Sequence, residues 1–252
     1  MKVLIKSSML LFSLCLLTTN VSAQEMTTEK IEQQFFNAYI KNSIPAWKIS
    51  LSQLENNQDE SLQLLLAKSY YGAAGTGMGS QNEDFTAEML DKAAILTKSI
   101  LEKDKKSAEA NALLSAVYGM KIALSPIKGM LLGSKSSNAA AKGIKLAPEN
   151  PFTNYVQGIN LYHTPAMFGG DIKESINHLE KSKNSYEKAA KTNSWEYLNL
   201  LAFLGQAYHK EGLYEKAKAT YETALKIAPD FAYIKMGLLP ITEKALVKSK
   251  QA

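Results

Sequence analysis

The 252-residue chain contains no arginine, and all 29 of its basic side chains are lysines. Arginine grips phosphate groups and guanine with two parallel hydrogen bonds, whereas the lysine ammonium acts as a point charge. The formal net charge of +5 is also modest for a chain of this length. We therefore expect no nucleic-acid partner.

Cysteine occurs once, at Cys15, and histidine three times, at His163, His178 and His209. The large Leu14 before Cys15 departs from the small residue typical of a lipid-attachment motif, so Cys15 is interpreted as an ordinary apolar residue. The histidines lack the i, i+4 spacing of zinc ligands, and no Gly-x-Ser-x-Gly motif offers a nucleophile. The sequence predicts no enzyme, no metal and no cofactor.

Long apolar runs are also missing, apart from one short run near the start of the chain. Lys2 and Lys6 precede the run Met9–Leu17, and the segment closes on small residues at Ala23. This order is typical of a secretory signal peptide, and the run is shorter than the roughly 20 residues that span a bilayer. We expect residues 1–23 to be removed, leaving a periplasmic or secreted protein without a stable membrane span.

The alternating pattern of β-strands is absent, and apolar residues recur instead at helical spacing. Thr27–Ile40 and Ala46–Glu55 predict two helices within residues 24–58, as the opening helices of a stack. Phe231–Lys248 predicts a terminal capping helix with a kink at Pro240, within residues 231–252. The predicted fold class is all-α, with helical repeats over residues 59–230.

The repeat is clearest near the C-terminal end of the chain. Large and small residues alternate there in a fixed order, at Leu201, Leu204, Gly205, Tyr208, Gly212, Tyr214, Ala217, Tyr221, Ala224 and Pro229. This pattern resembles the tetratricopeptide repeat, with Leu201 in place of the usual tryptophan. The resemblance implies an antiparallel helix-pair solenoid of about four repeats with terminal capping helices.

Upstream, the same template places small residues at Ala67, Ser115, Gly158 and Gly205, which lie 48, 43 and 47 residues apart. These intervals exceed the standard 34-residue repeat. We assign the excess mainly to long turns within the units, at 72–84, 119–133 and 163–170.

Two of these predicted turns carry local signals. The glycine-rich run Gly72–Gly79 allows a phosphate-binding loop, but no Gly-Lys-Ser/Thr follows it, so a flexible connector is the favoured interpretation. In the third turn, Asp171 and Glu174 have the spacing of a helix-capping pair. We expect a helix to start there.

In proteins of this family the first helix of each unit lines a concave face, which implies a set of partner-binding residues. They are Lys68, Tyr71, Met120, Phe152, Tyr155, Tyr162, His163, Gln206 and His209. Aromatic side chains there suit peptide recognition because they bury a large area at low entropic cost. For Tyr155 and Ile159, packing inside the solenoid is the open alternative.

The predicted function is therefore that of an exported, non-catalytic scaffold that binds an envelope protein or a peptide through its concave face. The alternative is a small-molecule-binding component of a periplasmic transport system, with the long turns covering a pocket.

Overall fold

The computed structural model describes residues 28–56 and 59–251, so the predicted signal peptide lies outside the described residues. The helices are α1 (28–40), α2 (Ile44–Glu55), α3 (Gln63–Gly79), α4 (Glu83–Lys103), α5 (Ala108–Leu124), α6 (Gly129–Leu146), α7 (Pro151–His163), α8 (Ile172–Lys188), α9 (Trp195–Lys210), α10 (Tyr214–Ile227) and α11 (Leu239–Ser249).

Four consecutive helix pairs, α3/α4, α5/α6, α7/α8 and α9/α10, form the body of the molecule. Short connections join the two helices in three of the pairs, a longer one joins α7 to α8, and the two helices of each pair are antiparallel. The described part of the chain contains no strand, which confirms the predicted all-α solenoid. None of the helices in that part combines the length and the apolar character needed to cross a membrane.

Glycine allows the helices of two pairs to approach closely. A Cβ atom at Gly205 on α9 would overlap the ring atoms of Tyr221 on α10. At Gly158 on α7, a Cβ would lie 2.6 Å from Leu179 on α8. These contacts explain why the repeat template requires a small residue at these positions.

Serine is the small residue at other contacts between paired helices, where the sequence matches the repeat template less well. In the second pair, the hydroxyl of Ser136 on α6 donates to the carbonyl oxygen of Ser115 on α5, over 2.9 Å. In the third pair, Ser175 donates to the carbonyl oxygen of Gly158 over 2.7 Å. The buried hydroxyls thus join the paired helices while remaining satisfied.

The structure corrects two of the three predicted long turns. The run Gly72–Gly79 is neither a phosphate loop nor a flexible connector, because α3 continues through it. Likewise α5 continues to Leu124, and only a short segment with a 3₁₀ turn at Pro126–Lys128 separates it from α6. The residues in excess of the standard repeat therefore lengthen helices, because burial of small side chains offsets the low helix propensity of glycine.

The third connection is long, as expected. It follows His163, contains a 3₁₀ turn at Ala166–Phe168, and passes through Gly169 at a φ of 91°, a backbone conformation that favours glycine. Asp171 then accepts hydrogen bonds from the backbone N–H groups of Lys173 and Glu174. This confirms the predicted helix start.

The N-terminal helices form where expected, with Ser43 capping α2 and Pro45 in its first turn. Their placement differs from the prediction, because they reach the far end of the repeat array. The ring of Tyr39 lies 5.2 Å from that of Phe231, beyond α10. Burial of large aromatic side chains against the inner side of the solenoid accounts for this position.

The C-terminal segment changes its helical geometry ahead of Pro240, as the predicted kink implies. A π-helical stretch, Tyr233–Leu238, precedes α11, and Pro240 lies in the first turn of α11. Proline lacks the N–H group for the backbone bond to the preceding turn, so the helix widens there.

Candidate functional site

The N-terminal ends of the first helices of all four pairs meet around one lysine. The ammonium group of Lys68 on α3 lies 2.9 Å from the carboxylate of Glu109 on α5 and 2.7 Å from that of Glu196 on α9. It also lies 4.1 Å above the ring of Phe152 on α7. The inner side of the solenoid is therefore closed at this end.

Charge holds this cluster in its ionised form. Burial alone would lower the pKa of Lys68, but the negative charges of Glu196 and Glu109 outweigh it and raise that pKa. Burial would raise the pKa of Glu109, but the charge of Lys68 and the hydrogen bond from Asn150 lower it. A largely buried, compensated ion cluster thus joins helices that are distant in the chain.

Next to this cluster lies a partly buried chain of hydrogen bonds. Tyr39 donates to the side-chain oxygen of Asn199 over 3.0 Å, and the Asn199 amide donates to Tyr155 over 2.6 Å. Tyr155 is hydrogen-bonded in turn to Tyr71. Burial raises the pKa of Tyr71 to about 12, so its hydroxyl stays protonated at neutral pH.

Two indoles complete the buried centre, which we call the inner core (Tyr39, Trp47, Tyr71, Tyr155, Trp195 and Asn199). The rings of Trp47 and Trp195 lie 6.2 Å apart, edge to face. The Trp47 indole also donates to Thr76 over 2.8 Å. A Cβ atom at Gly72 would lie 2.9 Å from Trp47, so this glycine makes room for both indoles.

Four of the predicted partner-binding residues lie in or beside the inner core. Tyr71, Phe152 and Tyr155 are 4 %, 1 % and 0 % exposed, and Lys68 is enclosed by its two carboxylates. Their side chains offer no surface to a partner in this structure, so the packing alternative describes Tyr155. The physical reason is that the protein's own N-terminal helices and α9 fill the predicted groove.

At the opposite ends of the first helices the inner side stays accessible. We call this part the open aromatic surface; it comprises Tyr162, His163, Phe203, Gln206, Lys210 and Tyr233. The rings of Tyr162 and His163 lie 4.8 Å apart, edge to face, and His163 lies 5.6 Å from Phe203. The ammonium of Lys210 stands 4.8 Å from the centre of the Tyr162 ring.

The polar groups of this surface are mostly uncharged. Partial burial of the ring, with the positive charge of Lys210, lowers the pKa of His163, so the imidazole is neutral at pH 7. Gln206 hydrogen-bonds to the hydroxyl of Tyr233, whose side chain is half exposed. The surface thus combines aromatic rings, an amide, a neutral imidazole and one cation.

The remaining predicted residues divide between the two environments. Met120 is partly buried against the core. His209 bonds over 2.8 Å to the hydroxyl of Thr242 on α11 and packs on Tyr214, so it attaches the capping helix. Only Tyr162, His163 and Gln206 of the predicted set lie on the open aromatic surface.

Phe203 and Tyr233 belong to this surface but were absent from the predicted set. Phe203 follows Asn199 by four residues and precedes Gln206 by three, so helical spacing alone could have placed it on the same face. Tyr233 lies in the π-helical stretch. The sequence carries no signal for its position, because that stretch departs from the repeat template.

Comparison with known proteins agrees with this fold. Residues 198–231 match the family model for the tetratricopeptide repeat. No curated protein sequence matches the chain.

Among solved structures, the chain is similar to the HusA haemophore from Porphyromonas gingivalis, with a TM-score of 0.50 and 18% identity over 72% of this chain and 93% of that one. It is also similar to TTC0263, a thermophilic tetratricopeptide-repeat protein of Thermus thermophilus, with a TM-score of 0.49 and 16% identity over 87% and 98% of the two chains. The corresponding values for MamA are 0.40 and 21%, over 68% and 94%.

The matched segment, 198–231, covers most of α9 and the whole of α10. In the third pair Gly158 on α7 likewise faces Leu179 on α8, and in the second pair Ser115 on α5 contacts Ser136 on α6. The chain therefore contains one segment that matches the tetratricopeptide repeat, residues 198–231, within a fold of paired helices similar to that of HusA.

Proposed function

We propose that this protein is an exported, non-catalytic scaffold that binds a segment of an envelope protein through the open aromatic surface. Tetratricopeptide-type folds commonly mediate interactions between proteins. The observation that carries the proposal is the cluster of Tyr162, His163 and Phe203, whose rings meet edge to face at the unfilled end of the inner side. The signal-peptide pattern of residues 1–23 supports export.

The chemistry of this surface indicates what the bound segment carries. Rigid aromatic rings favour an apolar or aromatic side chain in the partner. Gln206 suits a backbone amide, and Lys210 suits a carboxylate close to that side chain. The protein segment is therefore expected to combine an apolar anchor with one acidic residue.

The test is capture of partners from a cell-envelope extract with the chain from Gln24, followed by titration of the purified partner. A Tyr162→Ala, His163→Ala, Tyr233→Ala variant removes the exposed rings. An Ile49→Ala, Ile95→Ala variant is the matched control, because these side chains are 62% and 71% exposed on α2 and α4. Circular dichroism checks that all forms are folded.

We expect the ring variant to lose at least tenfold in affinity and the control to bind like the parent. Equal affinity of the ring variant and the parent would overturn the assignment of this surface. If no folded form binds any protein, the scaffold proposal fails.

A second candidate is capture of a small molecule at the same surface, favoured by the neutral imidazole of His163 between two aromatic rings. HusA is described as a haemophore, which makes haem the first compound to test. The measurement is the haem absorbance spectrum with the parent and a His163→Ala variant. A spectrum that shifts with the parent and not with the variant supports this candidate, and an unchanged spectrum with both rejects haem as the ligand.

A further inference from the structure

The second helix pair carries a surface of lysine and apolar side chains that the proposed function does not use. From Ala110 to Pro148 the chain contains five lysines and no aspartate or glutamate. Lys121 is paired with Asp91. The other four, Lys128, Lys135, Lys142 and Lys145, make no ion pair with any described residue, and we call them the lysine face.

The helical geometry of α6 brings this charge together. At 100° per residue, Leu131, Lys135, Lys142 and Lys145 fall on one side of the helix, and all four are exposed. The opposite side consists of small residues, Ser136, Ala140 and Gly143, which are buried against α5. The lysine face is therefore held outward by a rigid contact.

Large apolar side chains stand at the start of the same helix. Ile127, Met130 and Leu131, which we call the apolar tip, are 77%, 89% and 72% exposed. Isolated apolar side chains are common on protein surfaces. Three neighbouring ones at a projecting turn are less favourable to hydrate, and such a patch is typical of an interaction site.

The turn of the next pair extends this apolar region. Met167 and Phe168, between α7 and α8, are 82% and 70% exposed. Asn160 near the end of α7 donates to the Ser136 hydroxyl on α6 over 3.1 Å, which holds the two helices side by side. Because each turn follows the first helix of its pair, both turns project from the same edge of the array.

We propose that the apolar tip and the lysine face dock the protein onto an anionic lipid surface. Exposed lysines attract negatively charged headgroups, and apolar side chains beside them enter the boundary between headgroups and acyl chains. The long stems of the lysines let the ammonium groups reach phosphate while the apolar tip is inserted.

Charge complementarity and shape favour a lipid surface over an acidic protein. The lysines lie along α6, the second helix of its pair, and project away from the side that packs against α5. The apolar side chains stand at the tips of two turns, where they can enter a planar, deformable surface together. Docking of this kind requires no membrane-spanning helix.

The experiment is co-sedimentation of the chain from Gln24 with phosphatidylcholine vesicles, with and without phosphatidylglycerol at about 30% of the lipid, which gives the surface the negative potential that lysines sense. The test variant is Lys135→Gln, Lys142→Gln, Lys145→Gln. The matched control is Lys226→Gln, Lys244→Gln, Lys248→Gln, which changes the net charge equally through exposed lysines that pair with no described residue. Circular dichroism checks folding.

We expect binding to the anionic vesicles only, at moderate salt. Each lysine near an anionic surface contributes about fivefold, so the test variant should bind about 100-fold more weakly while the control binds like the parent. Absence of binding by the parent, or an equal loss in the control, would overturn the proposal. The proposal would also be overturned if the parent bound no vesicles but did bind an acidic protein that the test variant failed to bind. That result would indicate a protein partner.

Insertion of the apolar tip has its own readout. Trp47 and Trp195 are 0% and 5% exposed, so they report little on the surface. A Leu131→Trp variant adds an exposed indole, and we expect its emission to shift to shorter wavelength on anionic vesicles. An Ile241→Trp variant, at a position 61% exposed on α11, is the control and should not shift. No shift in the Leu131→Trp variant would contradict insertion.

These outcomes are independent of the proposed protein-binding function. The lysine variant keeps the open aromatic surface, and the ring variant keeps the lysine face. Failure of one proposal therefore leaves the other measurable.

Discussion

The ammonium of Lys68 and the carboxylate of Glu196 lie 2.7 Å apart, although they belong to the first and the fourth helix pairs. Their contact shows that the array curves until its two ends meet. The inner side therefore becomes a core at one end and stays open only at the other. This geometry decides which predicted partner-binding residues remain accessible.

The first prediction concerns this ion cluster. Lys68→Met leaves the carboxylates of Glu109 and Glu196 without their shared cation in a largely buried position. We expect the free energy of unfolding to fall by about 3 kcal/mol, because removing one partner of a buried pair leaves uncompensated charge. The measurement is urea unfolding followed by circular dichroism.

Lys103→Met is the control for this prediction. Lys103 pairs with Glu60 over 2.8 Å, but the two side chains are 55% and 75% exposed. An exposed pair contributes less than about 1 kcal/mol, so the control should change stability little. Equal losses in both variants would show that the buried cluster has no special role.

The second prediction concerns pH. The pKa of Glu109 is lowered in the folded protein. Its contribution to stability is therefore present above the ordinary glutamate pKa and is lost as the pH falls through the folded value. We expect the urea midpoint to drop more steeply in the parent than in Glu109→Gln as the solution is acidified below about pH 4.5.

Glu32 gives the opposite dependence of stability on pH, because burial and the charge of Glu196 raise its pKa. Stability linked to Glu32 is present at low pH and is lost as the pH rises through its folded pKa. The difference between the parent and Glu109→Gln isolates the contribution of Glu109. Parallel pH profiles for the two proteins would contradict its assigned role.

The sequence predicts the helix pairs well because their contacts are local. A small residue on one helix, such as Gly205 or Gly158, faces a large residue on the next, and this pairing recurs within a short stretch of chain. The curvature of the whole array cannot be predicted in this way, because it depends on helix lengths that the repeat template does not specify. The contact of Lys68 with Glu196 therefore had no sequence signal.

The candidate site shows the same division. Tyr162, His163 and Gln206 were predicted by their positions on the first helices, and they lie on the open aromatic surface. Tyr71 and Tyr155 were predicted in the same way but are buried, because Tyr71 packs near Trp195 and Tyr155 bonds to Asn199 and Tyr71. Exposure of a residue in a solenoid depends on distant elements as well as on its own helix.

The third prediction compares two glycines of α3, in the segment where the sequence pattern favours a turn. A Cβ atom at Gly72 would lie 2.9 Å from Trp47, whereas a Cβ atom at Gly75 would meet nothing within 4 Å. We expect Gly72→Ala to destabilise the fold by about 1–3 kcal/mol through overpacking. Gly75→Ala should stabilise it by about 0.5–1 kcal/mol through higher helix propensity.

Thermal unfolding of the two variants beside the parent measures these changes. The two substitutions add the same methyl group to the same helix, so each serves as the control for the other. A stabilising effect of both would mean that the indoles of Trp47 and Trp195 adjust freely at Gly72. A destabilising effect of both would contradict the helical assignment of Gly75.

The last prediction concerns the hydrogen-bond chain of the inner core. Tyr39→Phe removes the hydroxyl that donates to Asn199 and leaves the side-chain oxygen of Asn199 without this partner in a partly buried position. We expect a loss of about 1 kcal/mol in the free energy of unfolding, because a partly buried acceptor loses its hydrogen bond. Tyr118→Phe is the control, because the Tyr118 hydroxyl bonds to no described residue. It should change stability by less than about 0.5 kcal/mol.

A double-mutant cycle tests whether the chain acts as a unit. Tyr155→Phe removes the hydroxyl that accepts from Asn199 at the other side of the amide, over 2.6 Å. Because both tyrosines bind the same amide, the combined loss should differ from the sum of the single losses by about 0.5 kcal/mol or more. Strict additivity would mean that Tyr39 attaches α1 by ring packing alone, with its hydroxyl contributing nothing to the placement of the N-terminal helices.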